Sequence, residues 1–300
     1  MWFTPKPGHV AEETEIQPQL RPATAADAPE CGRICYEAFA TISSRHGFPP
    51  DFPSVEVTTD LWSGLIAHPG LFGVVAEHGG KVVGCNALDE RSTIFSVGPI
   101  TVDPEVQDHE IGRALMTAVL DRSAELRPPG VRLLQAAYHN RSMSLYAKLG
   151  FDVREQFAAM QGDPLALQIK GYTVRPATDA DLPACSALCV RVHGHDRRGE
   201  FKDAVAQRTA RVVERHGRIT GYTTGIGFFA HSVAETNDDI AALIGAAEEF
   251  PGAGFLVPMR NTELVRWCLG HGLRVMYMMN LMTMGLYQEP RGAFLASVGY

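Results

Sequence analysis

The chain has 300 residues, room for two domains of ordinary size, and its 45% hydrophobic and 20% charged residues are the composition of a soluble globular protein. A net charge of −7 argues against a nucleic-acid partner, because phosphate contacts need concentrated Lys and Arg. No apolar run reaches the ~18 residues that would span a membrane, so no membrane association is expected.

Residues 1–17 contain Pro and Glu but no apolar stretch of the secretion-signal kind, and they read as a flexible lead-in. The six cysteines form no CxxC or zinc-like cluster, which points to reduced, buried thiols in a cytoplasmic protein and to no metal site.

The first organisational signal is a repeat. Residues 21–35 read RPATAADAPECGRIC and residues 175–189 read RPATDADLPACSALC, nine of fifteen positions being identical at a shift of 154. A shift of half the chain means two domains rather than a solenoid. In each copy Arg-Pro closes an extended segment, and Thr24 or Asp27, like Thr178 or Asp181, is placed to cap the following helix. Cys31 and Cys35, like Cys185 and Cys189, share one helix face and read as inherited core positions.

In the first copy a helix is expected to about Ala40, then the Pro-rich loop HGFPPDFPS (46–54), then a helix over Val57–Ala67. Leu71–Glu77 and Lys81–Leu88 form a hairpin around Gly79-Gly80, and Thr93–Val102 is a strand broken at Gly98-Pro99. A helix over Ile111–Arg127, a strand over Val131–Ala137, a short helix over Ser142–Leu149 and a strand over Phe151–Met160 complete a mixed α/β unit.

Chemistry is expected at the join ITVDPEVQDHEIGRALM (100–116). The first-turn amides of its helix have no intrahelical partners, the helix dipole favours an anion there, and Gly112 lets a ligand approach the backbone. A second candidate is NRSMSLYAKLGF (140–151). Asn140 there holds a ligand or caps the helix, and Tyr146 is either a functional phenol or a half-buried packing residue.

Together these two segments resemble the GNAT acyltransferase superfamily over residues 19–160. Gln107-Asp108-His109-Glu110-Ile111-Gly112-Arg113-Ala114 lies in register with the family's Gln/Arg-x-x-Gly-x-Gly/Ala segment, and Asn140, Tyr146, Gly150 and Phe151 fall on its Asn…Tyr…Gly-Phe stretch. The resemblance implies acetyl-CoA as co-substrate, with its pyrophosphate on residues 107–114 and its pantetheine arm along Ile100, Thr101 and Val102. It implies Tyr146 as the general acid that protonates the departing thiolate. One departure stands out: Glu110 replaces the first motif glycine, and its carboxylate would repel the pyrophosphate unless turned outward. Acetyl transfer also needs a proton acceptor, for which Asp89, Glu90 and His139 are candidates.

The second copy keeps the hairpin, Glu214–Gly221 matching Glu77–Gly84, but not the chemistry. Its helix start has no Gly and carries Asp238 and Asp239, and Trp267 or Cys268 stands where Tyr146 does. The expected architecture is therefore two tandem GNAT-like domains: 18–162 with the acetyl-CoA site, and a degenerate domain over 171–300. The Met-dense stretch 275–285 reads as a buried strand, and His193-Gly194-His195-Asp196 as a polar loop. The acceptor, expected to be a small amine, would lie between the 46–54 loop and the second domain. The alternative is a catalytically weak acyl-CoA-sensing module. The apolar tail 292–300 suggests packing on a neighbour, as in a homodimer.

Overall fold

The computed structural model describes residues 18–107 and 110–299; the expected lead-in 1–17 and the site candidates Asp108 and His109 lie outside the described residues. The first copy runs β1 (Gln19–Pro22), α1 (Ala28–Arg45), α2 (Val55–Ala67), β2 (Leu71–His78), β3 (Lys81–Asp89), β4 (Phe95–Val97), β5 (Thr101–Val102), α3 (Ile111–Leu126), β6 (Gly130–Ala136), α4 (Asn140–Lys148) and β7 (Asp152–Gln161). The second runs β8 (Thr173–Pro176), α5 (Leu182–His193), α6 (Arg198–Ala206), β9 (Arg211–Arg215), β10 (Arg218–Thr223), β11 (Ser232–Ala234), α7 (Asn237–Gly245), β12 (Phe255–Pro258), α8 (Thr262–Gly270), β13 (Arg274–Gly285) and β14 (Ala293–Leu295). The first copy follows the expected mixed α/β order, and the second repeats it with β14 added at its end. The first helix continues to Arg45, past the expected end at Ala40.

The repeated opening does more than cap a helix. Asp27 accepts both guanidinium nitrogens of Arg21 at 2.7 and 2.8 Å, together with the amide and hydroxyl of Thr24, while Arg21 also reaches Glu77 at 2.7 Å. Arg175, Asp181, Thr178 and Glu214 repeat this network with nearly the same distances. In each copy the Arg guanidinium holds the carboxyl well below the usual range, Asp181 at about 2. The duplicated Arg and Asp therefore tie the first strand to the first helix. Cys31, Cys35, Cys185 and Cys189 are buried free thiols packed in the helix–sheet cores, as the repeat implies.

The strands form a nine-stranded sheet in the order β1-β2-β3-β4-β6-β13-β7-β12, with β5 on β3, and a five-stranded sheet β14-β11-β10-β9-β8. The Met-dense strand β13, from the second copy, lies between β6 and β7 of the first, while β7 carries β12 on its far edge. Register across this seam is set by amides. Asn280 of β13 donates to Gln135 of β6 at 3.0 Å and accepts from Gln156 of β7 at 3.5 Å. A one-residue slip would bury these groups against apolar neighbours. Met282 is fully buried, as a central strand requires.

Two expectations need correction. The C-terminal tail packs within the chain's own fold: β14 pairs with β11, Ala296 bridges Leu256 of β12, and residues 293–297 are buried. Apolar side chains in a short terminal strand gain most by completing an available sheet edge. Nor is 193–196 a plain polar loop. His193 and His195 are buried, and His193 meets the Phe294 ring at 5.1 Å. Desolvation keeps both rings neutral, His195 being pushed down to about 3. Among the described residues no helix is long and apolar enough to cross a membrane.

Candidate active site

The site begins where a strand leaves its sheet. β4 pairs in parallel with β6 at Phe95–Val131 and Ser96–Arg132, but after Gly98-Pro99 the chain turns away and β5 pairs with β3 alone. A wedge opens between β5 and β6, with α3 and α4 starting at its lips. The β5 edge turned toward β6 carries unladdered backbone groups, which suit an extended polar arm. The Thr101 side chain is spent inward on Cys85, 3.2 Å from its Sγ.

The α3 start forms one end of a groove of about 770 Å³. Ile100, Thr101, Val102, Gln107, Glu110, Ile111, Gly112, Arg113, Asn140 and Tyr146 all line it. Gln107 is held by its amide on the Val102 carbonyl at 3.3 Å. The Ala114 amide closes the first helical turn on the Glu110 carbonyl at 3.0 Å, so of the expected set it contributes helix geometry rather than a free donor. The amides of Ile111, Gly112 and Arg113 belong to the first turn, which carries no acid. A methyl group at Gly112 would make only ordinary van der Waals contact, at 3.7 Å from Leu145 and 3.8 Å from Val102. The cradle and the unladdered strand edge thus both present backbone polar groups along one groove.

Glu110 adopts φ +58°, the left-handed conformation that glycine takes without cost and that costs another residue about 1 kcal/mol. Its side chain is exposed and paired with Arg113. The carboxylate is thus turned outward, but it occupies a cation at the groove's edge. Glu110→Gln should release Arg113 and lower the KM for acetyl-CoA about two- to fivefold, the scale of an exposed ion pair. An unchanged or raised KM in initial-rate kinetics would show that Arg113 does not reach the phosphates.

Behind the groove lies a second cavity of about 510 Å³, between the 46–54 loop and residues of the second copy. The two spaces meet at Phe39, Ile42, Ile100, Tyr138, His139, Ser142 and Tyr146, which line both. Tyr146 is buried, with its ring edge-on to Phe151 at 6.3 Å, and burial pushes its phenol well above the usual range, so it keeps its proton. His139 is shifted the other way. Burial, then the charges of Arg141 and His46, lower its pKa and leave it neutral near pH 7. The other proton-acceptor candidates are engaged elsewhere. Asp89 is held by Arg91 at 2.6 Å and Glu90 by Arg122 at 2.9 Å. The sequence reading missed Asp51, Tyr138, Phe228, Phe229 and Tyr277, which come together in the second cavity from four separated stretches of chain. Its flag on the 46–54 loop was the nearest signal.

The second copy lacks both halves of this arrangement. Its helix start is self-capped: the Asp239 carboxylate accepts from the Thr236 amide at 3.0 Å and from its hydroxyl at 2.6 Å, and Thr236 accepts from the Asp239 amide. Its strand gap is filled by β14, between β11 and β12. Cys268, at the Tyr146 position, is fully buried, and Trp267 stacks on His271 at 4.2 Å.

Comparison with known proteins agrees with this geometry. Residues 69–153 match the family model of the acetyltransferase (GNAT) domain. An IAA acetyltransferase of Azospirillum brasilense is 31% identical over 104 residues, 34% of this chain and 68% of that protein. Among solved structures, a Pyrococcus horikoshii protein thought to be an acetyltransferase superimposes with a TM-score of 0.73 at 16% identity, covering 94% of this chain and 95% of its own. A GCN5-related N-acetyltransferase from Sphaerobacter thermophilus gives 0.61 at 18% identity, covering 91% and 96%. A tandem GNAT protein from the clavulanic acid biosynthesis pathway gives 0.54 at 16% identity, covering 90% and 98%. At these identities the structures speak for the fold, and they extend it over nearly the whole chain, while the family model and the curated relative speak for the activity. The chain belongs to the GNAT superfamily and is an acetyltransferase that uses acetyl-CoA as its co-substrate.

Proposed function

We propose that the protein transfers the acetyl group of acetyl-CoA to the amine of a small acceptor by direct attack, at one site per chain. In this reading residues 18–162 carry the acetyl-CoA groove, and residues 171–300 serve as a scaffold that walls the acceptor cavity. The observation that carries it is the position of Tyr146 and His139, which line both the groove and the inner cavity.

The thioester supplies an activated acetyl group. Amides of Ile111, Gly112 and Arg113, with Gln107 and Asn140 alongside, would hold the pyrophosphate end, and the backbone of Ile100, Thr101 and Val102 the pantetheine arm. The acceptor enters as an ammonium ion. His139, neutral, takes its first proton and frees the nitrogen lone pair to attack the acetyl carbonyl carbon. As the carbon–sulfur bond breaks, Tyr146 gives its hydroxyl proton to sulfur and regains one from the new amide nitrogen through water. His139 returns its proton to solvent. One amide and one thiol form, and one proton is released.

The test is CoA release from acetyl-CoA across a panel of small amines, with IAA, the compound in the relative's name, included. At least one amine should raise the rate well above hydrolysis. If none does, while acetyl-CoA still raises the melting temperature, the site binds acetyl-CoA without transferring its group to an amine.

A further inference from the structure

The inner cavity holds a desolvated carboxyl that no cation of its own walls pairs, and burial pushes its pKa up, so a bound cation would be needed to keep it ionised. Of its carboxylates, Asp60 is exposed to solvent on α2, Asp89 and Asp203 share Arg91, each at 2.6 Å, and Glu200 is held by Arg197 at 2.6 Å and His231 at 3.2 Å. Asp51 is different. It is the Asp of the 46–54 loop, it is largely desolvated, and its partners are the hydroxyls of Tyr277 and Ser43. Among the described residues it makes no ion pair.

Aromatic rings surround this carboxylate's side of the cavity and brace one another. Tyr138 meets Tyr277 edge-on at 5.5 Å, Phe228 lies 6.4 Å from Tyr277 and 5.9 Å from Phe229, and Phe229 lies 5.9 Å from Phe52. Ring faces attract cations, and a desolvated carboxylate attracts them more strongly still. Water serves such a wall poorly. An ammonium ion serves both its components.

This position is not where acetyl transfer would occur. The reacting nitrogen belongs at the junction lined by Tyr146 and His139, whereas Asp51 lines the inner cavity and not the groove. Tyr138 stands at that junction and also against Tyr277, whose hydroxyl carries Asp51. We propose that Asp51 and the aromatic rings around it form a subsite for a second cationic group of the acceptor, so that the preferred substrate is a diamine with a short apolar spacer. This rests on the acetyl-transfer reading above. The apolar rings face the spacer, Asp51 takes the far ammonium, and the near amine meets His139. A carboxylate in place of the far ammonium would meet Asp51 and be rejected.

The experiment compares α,ω-diaminoalkanes of three to six carbons with the n-alkylamine and the ω-amino acid of equal length, in two readouts. Initial rates of CoA release should rank diamine above monoamine above amino acid, with about tenfold or more in kcat/KM between the first two, mainly in KM. In the presence of CoA, the diamine should also raise the melting temperature more than the monoamine does. Asp51→Asn should bring the diamine down to the monoamine's level in both readouts. Tyr277→Phe, which keeps the carboxylate, should retain the preference and covers the case in which the Asn variant fails to fold. Equal kcat/KM and equal thermal shifts for diamine and monoamine in the wild type would overturn the subsite. Thermal discrimination without acetylation of any amine would instead sink the acetyl-transfer reading and leave the subsite standing.

Discussion

Tyr146→Phe lowers kcat for amine acetylation by about a hundredfold or more, the usual contribution of a positioned general acid, and leaves acetyl-CoA affinity within about twofold. The substitution removes one oxygen from a buried ring, so the packing on Phe151 and the core around α4 persists and the melting temperature stays close to that of the wild type. Burial already keeps the phenol protonated at all working pH values, so its role is donation as charge develops on sulfur. An unchanged kcat would assign Tyr146 to packing alone, the other reading its position in the sequence allowed.

His139→Gln is expected to have an effect of similar size with a different signature. The proton acceptor must be neutral, and burial with the nearby Arg141 and His46 charges holds the His139 pKa below the usual ~6.5. Protonation therefore switches the wild type off only as pH falls below that value, and kcat/KM should show an acid limb with its midpoint under pH 6.5. In the Gln variant the rate should drop about a hundredfold and this limb should vanish. A limb that persists unchanged would move the role to another group. Asp89, already neutralised by Arg91, would have to lose that partner to take it.

How much of this was legible before any coordinates depends on how local each feature is. Duplication showed at 21–35 and 175–189, because the strand–turn–helix opening is specified by neighbouring residues: Pro, a Thr–Asp pair and a helix face. The groove at the start of α3 was legible for the same reason, its pieces being one strand end, one helix start and one short helix. The self-capped start of α7 was visible in Asp238 and Asp239.

What escaped was non-local. Nothing in VMYMMNLMTMG distinguishes a strand that completes its own copy from one that inserts between β6 and β7; the pairing of Asn280 with Gln135 decides it across 145 positions. Asp51 read as one polar residue in a proline-rich loop because its aromatic surroundings come from residues 138, 228, 229 and 277. Glu110 was recognised as a departure from the family glycine. The +58° φ that makes glycine useful there, and turns the carboxylate outward, is a backbone property that a side-chain pattern does not carry. The tail 292–300 was apolar enough to suggest a partner, and its partner is the open edge of β11.

The central claim is that the first copy alone binds acetyl-CoA, and isothermal titration tests it most directly. With full-length protein the stoichiometry should be one acetyl-CoA per chain, and Gly112→Asp, which sets a charge in the α3 cradle, should abolish the binding heat. Two equivalents per chain, or one equivalent that survives Gly112→Asp, would contradict it.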